Sequence, residues 1–404
     1  MAYPLALHRL TLTDFRCYQN VVLETDADIV VLVGANGAGK TNVLEAISLL
    51  APGRGLRGAS FSQLGRQDGT GGWGVAASVL VAPGDLVEIG TGQILATPDT
   101  VPRGRVCRVN HELVSGSSVL GEFVRIAWLT PALDRLFTES ASARRRFLDR
   151  IVLGLDPHHG GRVRDYERAM ATRNRLLKEG GDRRWLDAAE NTMAECGVAL
   201  ARGRRACVGQ LQDLLVTPEL QGSSEASFFP AMRLVLEEGI SGIAISEISS
   251  LEKEEEILRT RLHDQRERDA RAGRTLEGPH RSDLLVFYKT GGGTSRDISA
   301  SSCSTGEQKA LVISLVLAHA RLLAAGGVAP LVLLDEVAAH LDEQRRTALF
   351  QAATALGGQV WITGCDRSLF GSLESESHGA SSSGKKADIF TVDEGRIFQP
   401  DGVR

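Results

Sequence analysis

The chain has 404 residues, 43% of them hydrophobic and only 5% aromatic, with a formal net charge of −4. That length leaves room for two or three domain-sized units. The charge balance excludes a globally basic nucleic-acid binder but leaves room for a local basic surface. Cys17, Cys107, Cys196, Cys207, Cys303 and Cys365 are scattered without a Cys-x-x-Cys pair. This argues against a zinc site or disulfide framework and for reduced thiols in a cytoplasmic protein. The N-terminus lacks a basic start followed by an apolar run, so no signal peptide is expected. The longest apolar stretch, 310–318, is too short to span a bilayer.

In chain order, residues 5–33 alternate in a strand-like way through Leu5, Leu7, Leu10, Leu12 and Val21-Val-Leu23. Between these lies Asp14-Phe-Arg-Cys-Tyr18, whose Arg16 reads on its own as a surface arginine. Ile29-Val-Val-Leu-Val33 is a continuous apolar run, as expected of a buried strand. Gly34, Ala35, Asn36, Gly37, Ala38, Gly39, Lys40 and Thr41 then fill the phosphate-loop pattern of Gly, four residues and Gly-Lys-Thr. Apolar residues at 43, 44, 47 and 50 give helical spacing after it. Strand, glycine-rich loop and helix present backbone N–H groups to phosphate oxygens. Lys40 is placed for the β- and γ-phosphates of a nucleoside triphosphate, and the Thr41 hydroxyl for Mg²⁺.

Residues 51–128 are glycine-rich, with strands expected at 75–81, 86–89 and 105–109 and a turn at Pro83-Gly84. This reads as a meander extending the nucleotide sheet, with Arg103, Arg105 and Arg108 on a solvated face. From Ser140 to Arg271 the chain is charged, helical and almost free of strand signals. Leu186, Met193, Leu200, Cys207 and Leu214 recur at every seventh position, which suggests antiparallel coiled-coil-like packing. Glu255–Arg259 and Glu267–Arg271 have the spacing of helical ion pairs. Loops are expected at 221–224 and 289–294. Arginine clusters at Arg144-Arg145-Arg146, Arg162 and Arg164, Arg173 and Arg175, Arg183-Arg184, and Arg202, Arg204 and Arg205 are interleaved with acids. They read either as solvated helix faces or as a sequence-independent phosphate-contacting surface for DNA.

Glu277-Gly-Pro-His-Arg-Ser-Asp283 precedes a strand at 284–288. Cys303-Ser-Thr-Gly-Glu-Gln-Lys309 opens a long apolar helix, and in isolation it reads as a helix N-cap. Leu331-Val-Leu-Leu-Asp-Glu336 is an apolar strand ending in two carboxylates, expected beside the phosphate-loop strand. Asp335 suits the Mg²⁺ shell, and Glu336 suits orienting the attacking water. His340-Leu-Asp342 follows, and Val360-Trp-Ile-Thr363 is a further strand. The Ser- and Gly-rich stretch 372–386 reads as a flexible surface loop.

This order resembles the ATP-binding-cassette ATPases and, within them, the RecF family of recombinational DNA-repair proteins. The carriers are Asp14–Tyr18, Gly34–Asn42 with Leu44-Glu-Ala-Ile47, Arg144-Arg-Arg-Phe-Leu-Asp149, Arg173-Asn-x-Leu-Leu177, Gly278-Pro-His-Arg281, Ser304–Lys309 and Leu333–Glu336. The resemblance implies an α/β ATP-binding-cassette head with a mixed sheet, built from 1–130 and 277–404, and an inserted helical arm, 131–276. It implies an ATP-dependent homodimer that binds duplex DNA beside single-stranded gaps and works with RecR and RecO to help load RecA. Gly34 to Asn42 and Arg16 would then surround ATP, as a slow ATPase. Ser304, Thr305, Gly306 and Glu307 would meet the nucleotide of the partner copy, and Asp342 would lie in the D-loop. Arg144, Arg145, Arg146 and Arg173 would be candidate DNA contacts.

The sequence departs from the class at Glu307, where a small residue is usual. It has no glutamine near Thr130-Pro131-Ala-Leu-Asp134 and no switch histidine after Ile362. These departures suit a slow ATPase. A transporter subunit would carry its signature much closer to the phosphate loop, and a chromosome-maintenance ATPase would carry a far longer coiled coil. An ATP-regulated scaffold or a toxin–antitoxin-type ATPase without DNA contact is the alternative from another class.

Overall fold

The computed structural model describes residues 3–69, 71–82, 84–94, 104–216, 230–239, 250–289, 297–371, 373 and 386–399. Pro83, Arg103, and the loops expected at 221–224, 290–294 and most of 372–386 lie outside the described residues. The described chain forms two compact units. One runs to Asp134 and resumes at Val312; the other comprises Arg135–Thr217 and Pro230–Leu311.

The first unit begins with β1 (Tyr3–Pro4), β2 (Ala6–Phe15), β3 (Tyr18–Glu24) and β4 (Ile29–Val33), followed by α1 (Lys40–Ser48). Then come β5 (Trp73–Ala82), β6 (Asp85–Gln93), β7 (Val106–Val109), β8 (Glu112–Leu113) and β9 (Ile126–Leu129). The second unit holds α2 (Ala141–Leu155), α3 (His159–Glu179), α4 (Arg183–Val216), β10 (Met232–Glu237), α5 (Leu251–Asp264), α6 (Arg266–Ala272), β11 (Asp283–Lys289) and β12 (Asp297–Ser299). Helix α7 (Thr305–Ala325) leads back to the first unit, with β13 (Val328–Ala329), β14 (Leu331–Leu334), α8 (Glu343–Ala355), β15 (Val360–Gly364), β16 (Ala387–Asp393) and β17 (Arg396–Phe398).

One sheet of the first unit has the order β17-β16-β4-β15-β14-β9, parallel from β16 to β9 with β17 antiparallel at its edge. Every residue of β4, β9, β14 and β15 is buried, as a parallel sheet covered on both faces requires. The carboxylate-bearing strand β14 is therefore not beside β4, as its sequence suggested. Strand β15 pairs with both and separates them.

The other sheet is antiparallel, with the order β3-β2-β5-β6-β7-β8. The meander thus does not extend the nucleotide sheet. On β5, Trp73, Val75, Ala77 and Val79 point inward in alternation with less buried neighbours. That one-sided pattern suits an antiparallel sheet and not a doubly covered parallel one. Leu7, Leu10, Leu12, Val30, Leu32, Leu333 and Trp361 join Val43, Leu44 and Ile47 of α1 in one apolar core. Arg105 also departs from a solvated face. Its guanidinium donates to the carbonyl oxygens of Gly53 (2.7 Å) and Leu49, so it caps the C-terminal end of α1.

In the second unit Leu186, Met193, Leu200 and Cys207 are buried along α4, which packs on α3 and α5, and Leu214 is half-buried. Glu267 and Arg271 form the expected pair at 3.1 Å. Strand β10 was missed in a region read as helical. It pairs with β11, which pairs in turn with β12. That small sheet moves the second boundary from the expected 276 to Leu311/Val312, because β11 and β12 belong with β10. Helix α7 is long and apolar enough by length and composition to cross a membrane, yet most of it is buried in the protein, as in a core helix.

Candidate nucleotide-binding site

The loop leaves the end of β4 and turns into α1 through Gly37 (φ +85°) and Gly39 (φ +118°), conformations that favour glycine. A Cβ on Gly39 would lie 2.7 Å from both Cys17 Sγ and Tyr18 Oη, and one on Gly34 would lie 2.1 Å from the Val392 carbonyl oxygen. Tyr18, fully buried, donates to the Gly39 carbonyl at 3.1 Å, and burial pushes its phenol pKa up. The turn between β2 and β3 therefore forms the floor of the loop. Ala35, Asn36 and Gly37 are exposed above it.

Three strand ends of the parallel sheet, those of β4, β14 and β15, bring the charged groups together. Lys40 is buried, and its Nζ donates to the carbonyls of Gly34 (2.7 Å) and Ala35 (3.0 Å) and pairs with Glu336 at 3.0 Å. Thr41 Oγ1 donates to Asp335 Oδ1 at 2.8 Å. Thr363, at the end of the intervening strand β15, donates to the same Asp335 oxygen at 2.9 Å and accepts from the Glu336 N–H at 2.9 Å. Glu336 has φ +52°, a left-handed conformation at the strand end that turns its carboxylate toward Lys40. Asp335 is buried, and burial together with the nearby Glu336 charge raises its pKa against the opposing hydrogen bonds from Thr41 and Thr363.

The hydroxyl of Thr41 and the carboxylate of Asp335 are hard oxygen donors 2.8 Å apart. They fit a Mg²⁺ ion that takes one or two protein ligands and completes its shell with water and phosphate. A cation there would also offset the cost of burying ionised Asp335.

Two members of this constellation were not singled out in the sequence. Thr363 ties Asp335 to Glu336, and Cys365 stands among the phosphate-loop groups. The Cys365 thiol donates to Asn36 Oδ1 at 2.9 Å, and Lys40 Nζ lies 3.7 Å from its sulfur. Both residues occupy the stretch where a switch histidine was sought. Arg16 is held by α1: its Nε and Nη2 make a bidentate pair with buried Glu45 at 2.8 and 2.7 Å, and Nη1 donates to the Gln63 carbonyl. Glu45 lies one helical turn after Thr41, and Arg57 also reaches Glu45, at 3.2 Å, and Asn42, at 2.8 Å.

In the second unit Ser304 and Glu307 form a reciprocal capping box at the start of α7. The Ser304 N–H and Oγ–H donate to Glu307 Oε2 at 2.8 and 2.7 Å. These hydrogen bonds hold the exposed Glu307 carboxyl below its usual pKa. The residue that departs from the class pattern therefore has a local structural reason. Asp342 likewise caps α8 by accepting from the Arg345 N–H at 2.8 Å.

Arg173 is not available to DNA. It is fully buried, with Glu190 at 2.9 Å, Asp269 at 2.7 Å, Thr275 at 2.9 Å and the Leu262 carbonyl at 2.6 Å as acceptors. The cluster at 144–146 divides. Arg144 makes a bidentate pair with Asp283 and Arg145 donates to the Ser282 carbonyl, whereas Arg146 is exposed. His280 is set by Tyr166, which donates to its Nδ1 at 2.8 Å, while its Nε2–H donates to the Thr275 carbonyl.

A family model described as the RecF/RecN/SMC N terminal domain matches residues 6–383. A DNA replication and repair protein RecF from Rhizobium johnstonii is 46% identical over 403 residues, covering 99% of this chain and 100% of that protein. The chain belongs to the RecF family. A RecF from Brucella abortus is 46% identical over 395 residues, with 97% and 96% covered. Among solved structures, RecF with ATPrS from the RecFOR pathway superposes with a TM-score of 0.80 at 22% identity, covering 98% of this chain and 99% of that one. RecF with ATP gives a TM-score of 0.77 at 24% identity, covering 98% and 100%. The fold is that of a RecF-type ATP-binding-cassette head with an additional unit of helices and a small three-stranded sheet.

Proposed function

We propose that this RecF-family chain is an ATP-dependent DNA-binding repair protein in which bound ATP joins two copies around duplex DNA. The observation that carries this reading is the convergence of Lys40, Thr41, Asp335 and Glu336 at adjoining ends of one sheet. Lys40 exchanges its carbonyl acceptors for phosphate oxygens, and the N–H groups from Gly34 to Asn42 surround the phosphates. Mg²⁺, held by Thr41 and Asp335, supplies neutralisation of phosphate charge. Glu336 turns from Lys40 to orient water and accept its proton. Arg16 supports this shell through Glu45, one turn from Thr41.

Ser304 to Glu307 of one copy meet the ATP of the other, with Asp342 near the same joint, so the triphosphate completes the dimer. A hydroxyl at Thr363 and a thiol at Cys365, in place of a switch histidine, suit slow hydrolysis that times release. The dimer binds duplex beside single-stranded gaps and, with RecR and RecO, helps load RecA. The test is binding to duplex and gapped DNA with and without ATP across salt concentrations. ATP-stimulated binding that weakens steeply with salt is expected. Binding indifferent to ATP would favour an ATP-regulated scaffold instead.

A further inference from the structure

Four tryptophans occur in the chain. Trp73, Trp128 and Trp361 are buried, at 5%, 7% and 0% exposure, whereas Trp185 is 68% exposed. It sits where α3 turns into α4. The turn is built tightly: Gly180 is left-handed (φ +68°), the Gly181 N–H donates to the Leu176 carbonyl at 2.8 Å, and the Arg184 N–H donates to Asp182 Oδ1 at 2.8 Å. Arg175 and Lys178 in the last two turns of α3, and Arg183 and Arg184 at the start of α4, are all exposed. None of these side chains makes an ion pair or hydrogen bond among the described residues. Against these cations stand the carboxylates of Glu179 and Asp182; the next, Asp187, is taken by Arg266.

We infer that this turn is a contact for single-stranded DNA, with Trp185 stacking on an unpaired base and Arg183 and Arg184 beside the flanking phosphates. The inference rests on the DNA-binding reading above and gives it a site. An excess of unpaired cations complements a polyanion. An isolated indole among charged residues lacks the contiguous apolar patch that the core of a protein interface needs. Bases inside a duplex are already stacked, so an exposed aromatic ring gains most from a base that is not paired.

The test uses the full-length protein and oligo(dT). Trp185 is the exposed tryptophan, so oligonucleotide binding should quench the solvent-exposed part of the intrinsic fluorescence. Trp185→Phe should lose that quenching and keep affinity for a labelled oligonucleotide. Trp185→Ala should weaken it roughly 5- to 150-fold. Arg183→Ala with Arg184→Ala should reduce the slope of log affinity against log salt by about 1.4. ATP-stimulated binding of a labelled duplex is measured in parallel and should survive Trp185→Ala. Oligo(dT) binding without a fluorescence change, or with full affinity in Trp185→Ala, overturns the inference. So does absent oligo(dT) binding while duplex binding persists, an outcome that would assign the turn to a protein partner. Duplex binding that ignores ATP counts against the ATP switch, and the oligonucleotide titration still decides the turn.

Discussion

Replacing Arg173 with Met removes a guanidinium whose acceptors are two buried carboxylates, a hydroxyl and a carbonyl. Breaking a buried ion pair from one side costs about 3–5 kcal/mol, because the remaining charge stays desolvated. The two carboxylates are not equally exposed to this loss. Glu190 keeps Arg266 as a partner at 3.0 Å, whereas Asp269 keeps only the Leu276 N–H at 3.1 Å among its described partners. The cost should therefore fall near the lower end, about 3 kcal/mol, and arise mainly at Asp269. Adding Asp269→Asn removes the orphaned charge, so the double variant should be more stable than the sum of the singles by about 0.5–3 kcal/mol. Urea unfolding followed by circular dichroism should show the Arg173→Met midpoint lowered by roughly 1–2 M. The salt dependence of DNA binding should be unchanged under conditions where the variant is folded. An unchanged midpoint with weakened DNA binding would refute the burial of Arg173 and return it to the DNA surface.

Gly39→Ala should fold yet lose binding of a fluorescent ATP analogue. Its φ of +118° and the 2.7 Å approach to Tyr18 strain any side chain by about 1–3 kcal/mol and displace the loop. Glu336→Gln should still bind ATP but turn it over more slowly and prolong the dimer on DNA; unchanged phosphate release would remove Glu336 from the chemistry. Burial holds the His280 pKa below its ordinary value, so the unfolded chain takes up a proton that the fold refuses. Stability from this site should be present above about pH 6.5 and decline as pH falls through it, and His280→Asn should flatten that decline in thermal unfolding.

The phosphate loop was legible because its requirements are local. Gly37 and Gly39 need positive φ, Lys40 and Thr41 need the start of a helix, and one contiguous stretch supplies all of them. Asp335 and Glu336 were legible because an apolar strand ending in two carboxylates is rare. Thr363 and Cys365 were not, because their importance depends on β15 entering between β4 and β14, and no local pattern states strand order. Arg173 misled for a related reason. An arginine among other arginines reads as surface, and only the positions of Glu190 and Asp269, distant in sequence, reveal a buried network. Glu307 looked like a departure from a class signature, while its bond to Ser304 follows the local rule for starting a helix.

Light scattering of the full chain with and without ATP, beside Lys40→Ala, tests most directly whether ATP joins two copies. The parent should double its mass only with ATP and Mg²⁺. Lys40→Ala should remain a monomer and lose ATP-stimulated DNA binding at the same time. Dimers that form without nucleotide, or ATP-dependent dimers in Lys40→Ala, would contradict the account.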